Sequence, residues 1–182
     1  MPGPRPSAAE LRSHATFTAL MWALSYPGRP QPLPDGGAPA MPLIAEALVD
    51  LETSWFTNDP DLRAALARTG GMARPVTEAL YQFYPALDGA ALDALAAAPA
   101  GSDLYPDESA TLVIGCALGA GPALRLRGPG IPDVATLRVG GLPAAFWPLR
   151  AQVCRFPLGW DVLLVAGRQV VGLPRTTRIE VL

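Results

Sequence analysis

Lysine is missing from this chain: all 14 of its cations are arginine. That absence removes two kinds of chemistry. Without a side-chain amine there is no Schiff base, so no covalent pyridoxal phosphate aldimine can form. A Walker A loop is excluded too, because it needs Gly-Lys ahead of Ser or Thr. Histidine is nearly missing, with His14 alone. Any Ser-His or Cys-His machinery would have to use it, and no Gly-x-Ser-x-Gly elbow is present. Cys116 and Cys154 are the two cysteines, far apart in the sequence. They do not make a metal ligand set or the cysteine set of an iron–sulfur cluster.

Charge is scarce as well, at 16% of residues, against roughly 25% in an ordinary soluble domain. No apolar run approaches the roughly 20 residues of a membrane span. The best candidate, 112–124, is broken by Gly and Pro. Residues 1–7 have no apolar core of the secretory-signal kind and read as a short disordered arm. Residues 8–182 read as one domain, and the expected location is cytoplasmic. So few charges leave apolar surface for a partner, which favours an oligomer or a complex subunit.

The charges that remain are unevenly placed. Residues 1–110 carry 6 Arg and 13 acids, a balance of −7, and residues 111–182 carry 8 Arg and 3 acids, a balance of +5. A basic C-terminal half suits an anionic small molecule or an acidic partner face. It lacks the dense basic stripe that nucleic acid requires.

Local signals place the elements. Ser7-Ala-Ala-Glu10 is a capping box that starts a helix over 8–25, ended by Pro27-Gly28. Its apolar arc holds Leu11, His14, Phe17, Leu20, Met21, Trp22 and Leu24. Arg12, Ser13 and Thr16 form a narrow polar strip. So wide an arc predicts burial from more than one side, with His14 a buried, hydrogen-bonded residue at a core or an interface. Residues 29–41 read as loop, 42–51 as a helix and 54–57 as a strand. Asp59-Pro60 opens a helix to Thr69, stopped by Gly70-Gly71. Residues 76–84 read as strand, and Asp88 caps a helix to Ala97. Then 111–118 and 123–127 flank a turn at Gly119–Pro122, with Cys116 as a packed thiol. A strand follows at 134–139, then a helix over 143–153, bent or broken at Pro148. Helices alternate with strands, which gives α/β with a mixed sheet and flanking helices.

The last 27 residues carry the most information. Phe156-Pro-Leu-Gly-Trp160-Asp161 is a turn delivering an acid into an apolar strand. Gly167-Arg168 is a two-residue hairpin loop. Pro174 ends the second strand, and Arg175-Thr176-Thr177-Arg178 follows before a short final strand. Two guanidiniums with hydroxyl and amide donors suit a phosphate-like anion. The same quartet can equally be a turn whose threonines bond their own backbone. Asp161 either binds the amides of the 157–159 turn, pairs with Arg175, or serves as a functional acid. Ser25 and Gly28 are candidates to face the same region.

This string resembles the C-terminal signature of the H subunit of the bacterial carbon–phosphorus lyase system, the PhnH family. Three further stretches match in order. They are Phe17-Thr-Ala-Leu-Met-Trp-Ala-Leu-Ser-Tyr-Pro-Gly28, Pro106-Asp-Glu-Ser-Ala-Thr-Leu112 and Leu124-Arg-Leu-Arg-Gly-Pro-Gly-Ile131. The resemblance covers roughly residues 14–182 and departs most between 29 and 105. It implies a fold like the large domain of the pyridoxal-phosphate-dependent transferases, without the cofactor. It implies a homodimer in isolation and a cytoplasmic core complex with G, I and J subunits. That complex converts a phosphonate and MgATP into ribose 1-phosphonate 5-triphosphate, displacing adenine. The chain would lack a complete catalytic set and a cofactor of its own. The alternative is an independent binding protein or enzyme that holds an anionic phosphate or phosphonate through Arg175 and Arg178.

Overall fold

The computed structural model describes residues 5–35, 37 and 39–182. Residues 1–4 of the expected N-terminal arm, and positions 36 and 38 of the expected loop, lie outside the described residues. Among the described residues there are five helices and ten strands in two sheets.

Helix α1 (Ala8–Ser25) starts at the capping box. The Ser7 hydroxyl accepts from the Glu10 amide, and the Glu10 carboxylate accepts from the Ser7 amide. Strand β1 (Gln31–Pro32) follows, inside what was expected to be loop. Helix α2 (Ala40–Leu48) begins two residues before Pro42, which stands in the first turn where its missing N–H costs no bond. Strand β2 (Ser54–Thr57) leads to α3 (Pro60–Ala67), whose Asp59 cap accepts from the Leu62 amide at 2.7 Å. Strands β3 (Met72–Ala73) and β4 (Tyr81–Tyr84) come next. The expected strand over 76–84 is therefore cut to its second half. The Gln82 side chain donates to the carbonyls of Val76 and Ala79 and holds residues before Tyr81 in a turn. Helix α4 (Gly89–Leu95) is capped by Asp88.

The C-terminal half corrects two expectations. Strand β5 (Thr111–Gly115) ends before Cys116, and β6 (Ala117–Arg127) runs eleven residues straight through Gly119–Pro122. Those glycines make no hairpin turn. They produce a register shift against β7 (Ala135–Gly140) between Leu118 and Ala123. Gly121 has φ +72, and a Cβ there would come within 2.5 Å of the Val139 carbonyl oxygen. Only glycine fits that bulge. Helix α5 (Phe146–Val153) starts later than expected, so Pro148 falls in its first turn and does not break it. Strands β8 (Asp161–Ala166), β9 (Gln169–Leu173) and β10 (Arg178–Val181) finish the chain. Gly167, at φ +57, makes the β8–β9 hairpin loop with Arg168 as expected.

The larger sheet has the order β1-β9-β8-β5-β4-β2-β3. Its β8, β5, β4, β2 and β3 are parallel, while β9 opposes β8 and β1 opposes β9. The smaller sheet is antiparallel, β10-β6-β7. One core lies between α1–α3 and one face of the larger sheet, around Leu20, Ile44, Leu66, Phe83, Val113 and Leu163. The other lies between the opposite face, α4, α5 and the smaller sheet, around Leu95, Leu112, Leu126, Phe146, Trp160 and Leu164. The central strands are buried on both faces, which explains runs such as Leu112-Val-Ile114 and Val162-Leu-Leu-Val165.

Helix α1 departs from its expectation as well. It buries Thr16, Ala19, Leu20 and Ala23 against the sheet. Thr16 is fully buried, its hydroxyl donating to the Arg12 carbonyl at 2.8 Å. Much of the apolar arc faces outward: Leu11, Phe17, Met21 and Trp22 are exposed, and so is His14, while Leu20 is buried and Leu24 partly so. Small residues form the contact because α1 lies directly on β9. A Cβ on Gly172 would meet the Ala23 carbonyl oxygen at 2.4 Å.

Candidate functional site

The β8–β9 hairpin brings Asp161, at the start of one strand, beside the residues that follow the other. Asp161 and Arg175 form a close ion pair, Nη2 to Oδ2 at 2.7 Å, with Nε to Oδ1 at 3.3 Å. The Arg175 backbone amide also donates to Oδ1 at 2.8 Å, and its Nη1 donates to the Pro106 carbonyl. Of the alternatives for Asp161, pairing with Arg175 is the one observed. The Arg175 fork is thus spent largely within the protein.

The quartet forms a turn, closed by the Thr177 amide donating to the Pro174 carbonyl at 2.8 Å. The turn divides its side chains between two cavities. On one side Thr176 shares a cavity of about 360 Å³ with Ser25, Asp161, Pro174 and Gly130. On the other, Arg175, Thr177 and Arg178 share about 230 Å³ with Arg150, Cys154 and Trp147. The four candidates therefore do not converge on a single point. Ser25 does face the region, alongside Asp161 and Thr176. Gly28 packs instead: at φ +80 its amide donates to the Gly172 carbonyl, and a Cβ there would meet Leu126 Cδ1 at 2.6 Å.

Arg150 is the residue the sequence did not reveal. It stands in the last turn of α5 and is 3% exposed. Its guanidinium donates to the carbonyls of Leu173, Pro174 and Thr177, at 3.2, 2.7 and 3.1 Å. It ties the end of β9 to the start of β10. Burial lowers its pKa from the ordinary arginine value, and the neighbouring Cys154 and Asp161 oppose that shift. A late-helix arginine is the only signal in the sequence, and its partners are more than 20 residues away. The Arg150 Nε and the Thr177 hydroxyl are both buried without a hydrogen-bond partner.

The second cavity is therefore basic: three guanidiniums line it, one of them paired with Asp161. Arg178 is exposed and can meet an anion from solvent. The Cys154 thiol donates weakly to the Trp160 carbonyl, at 3.7 Å. Cys116 lies elsewhere, half-buried, and burial pushes its thiol up to about 11. Among the described residues, no cluster of His, Cys, Asp and Glu could hold a metal ion. Nor is any helix among them long and apolar enough to cross a membrane.

Similarity to known proteins extends over nearly the whole chain. A family model described as bacterial phosphonate metabolism protein (PhnH) matches residues 7–180. The putative C-P lyase subunit protein HtxG of Stutzerimonas stutzeri is 40% identical over 172 residues, covering 93% of this chain and 86% of that protein. The alpha-D-ribose 1-methylphosphonate 5-triphosphate synthase subunit PhnH of Rhizobium meliloti (strain 1021) is 34% identical over 184 residues. That match covers 92% of this chain and 90% of the relative.

Proposed function

This chain belongs to the PhnH family of bacterial phosphonate metabolism proteins, and on that premise we propose that it is a subunit of a C–P lyase complex. In this reading it joins G, I and J subunits in the cytoplasm. It supports conversion of a phosphonate and MgATP into ribose 1-phosphonate 5-triphosphate, with adenine displaced. The observation that carries the reading is the near full-length match to two relatives, one named as a C-P lyase subunit and one as a subunit of the triphosphate synthase. The outward face of α1 supports it, because Leu11, Phe17, Met21 and Trp22 are a large apolar area for one helix to leave in water. That face pairs two copies in isolation or receives a partner subunit in the complex.

A contact with substrate is part of the same proposal. The cavity of Arg150, Arg175, Thr177 and Arg178 presents an anion with excess positive charge, and Thr176 with Ser25 lines the neighbouring cavity. Kinship with the large domain of pyridoxal-phosphate-dependent transferases belongs to the proposal too. The run of five parallel strands, with the antiparallel β9 beside β8, supports it. The test is adenine release from MgATP and methylphosphonate, measured for the chain alone and with G, I and J subunits. Release is expected only from the assembled complex, and turnover by the isolated chain would overturn the reading.

A further inference from the structure

We propose a binding site for a small organic ammonium, with an apolar body and a cationic head, in the cleft at the carboxyl ends of β2 and β4. The inference is independent of the reading above and begins with topology. From β2 the chain passes through α3 to β3, on one side in the sheet order; from β4 it passes through α4 to β5, on the other. The two helices also take opposite faces. Leu62 and Leu66 of α3 lie in one core, while Leu92 and Leu95 of α4 lie in the other. Adjacent parallel strands whose connections leave in opposite directions open a crevice beyond their carboxyl ends, and open α/β sheets bind ligands there.

The crevice is present in this chain. A cavity of about 360 Å³ lies beyond Thr57 and Tyr84, within the usual range for a small-molecule pocket of roughly 300–1,000 Å³. Its walls are Met41 and Pro42 of α2, Leu62 of α3, and Pro85 just after β4. These supply an apolar surface with no lining cation. The charged groups of the lining are Asp59 and Asp61.

Charge decides the class of ligand. The amino ends of α2 and α3 face this region, and each contributes about half a positive charge. Two carboxylates outweigh them at the cavity wall; the Arg63 guanidinium, which donates to the Thr57 carbonyl at 3.1 Å, lines a different cavity. Asp59 already spends one oxygen on the Leu62 amide as the α3 cap. Asp61 is exposed in the first turn of α3, beside the cleft. An anion would meet this pair unfavourably, and a neutral ligand would gain only the apolar walls. An ammonium on an apolar body uses both.

The test uses the full chain and three probes of one shape: phenethylammonium, 2-phenylethanol and 3-phenylpropionate. Binding is read by titration, and its place by the NMR shift of the Met41 methyl group. Phenethylammonium should move that methyl and bind about fivefold tighter than the alcohol, the advantage of a partly exposed ion pair. The carboxylate should bind weakest. In the variant carrying Asp59→Asn and Asp61→Asn, the preference for ammonium over alcohol should vanish. Asparagine still caps a helix, so α3 is retained and can be checked by circular dichroism. Equal affinity for the three probes, saturation without a shift at Met41, a preference that survives the double substitution, or no binding at all would each overturn the proposal.

Discussion

Arg175 grips Asp161 twice, once through its guanidinium and once through its own backbone amide. The acid thereby fixes both the conformation of the turn after Pro174 and the direction of the side chain. The two side chains are 17% and 23% exposed, so the pair is neither a surface contact nor a fully dry one. Asp161→Ala should cost about 1–3 kcal/mol, because it strands a partly buried guanidinium and an amide together. Urea denaturation checks this, read as a lower midpoint at unchanged slope. Adding Arg175→Ala to Asp161→Ala should cost less than the sum of the two single changes, the mark of direct coupling.

Trp22 tests the outward face of α1. It is 47% exposed and stacks on Tyr26 at 5.3 Å between ring centroids, touching little of the core. Trp22→Glu should leave the folding stability of the single chain within about 0.5 kcal/mol of the parent. It should shift the chain towards monomer in sedimentation and weaken its incorporation into the complex. Unchanged sedimentation and assembly would remove α1 as the docking face.

Gly172 tests how closely helix and sheet approach. The obstacle to a side chain there is the Ala23 backbone, with no flexible end to give way. Gly172→Ala must push α1 off β9, at a cost of about 1–3 kcal/mol or more. A melting experiment should show a fall in midpoint far larger than for Gly167→Ala. Gly167 stands in open space and carries only the strain of its positive φ.

These positions also show how much of the molecule was legible beforehand. The Ser7–Glu10 box, the Asp59 and Asp88 caps and the Gly167-Arg168 loop are local chemistry. Each is legible in the sequence, because its partners lie within four residues. The ion pair of Asp161 was readable as one of a few options, since the hairpin limits where its carboxylate can reach. Gly119–Pro122 misled, because glycines of positive φ serve a bulge as well as a turn. The choice depends on β7, which comes later in the chain. Helix α1 misled for a different reason. Periodicity finds an apolar arc but cannot say which arc meets the sheet. Close approach to Gly172 requires a small residue at Ala23, and Leu11, Phe17, Met21 and Trp22 are left outside. Arg150 was invisible because its three carbonyl partners belong to another part of the chain.

Cys116 supplies a prediction about pH. Burial raises its thiol from 9.0 to about 11, so the folded chain keeps this proton to a higher pH than the unfolded chain does. Its contribution to stability is therefore complete below pH 9 and is lost as pH rises from about 9 to 11. Tyr81 and Tyr84 are raised as well and push in the same direction. The cysteine is isolated by comparison with Cys116→Ala. Denaturation midpoints of the parent should fall more steeply over that window than those of the variant. Parallel curves would show that the thiol is effectively solvated.

The path of the last segment has a consequence for how the chain acquires its structure. After β9 completes its hairpin in the larger sheet, four residues carry the chain to β10, which pairs with β6 in the smaller one. The Arg125–Glu180 pair closes a loop of 55 residues. Contacts so distant along the chain form late and slow the search for the native state. On a ribosome, β6 and β7 would emerge well before the strand that completes their sheet. Until β10 arrives, Leu124 and Leu126 lie on a strand with one open edge. Kinetic competition between finishing this small sheet and pairing that edge with another chain then sets the yield of native protein.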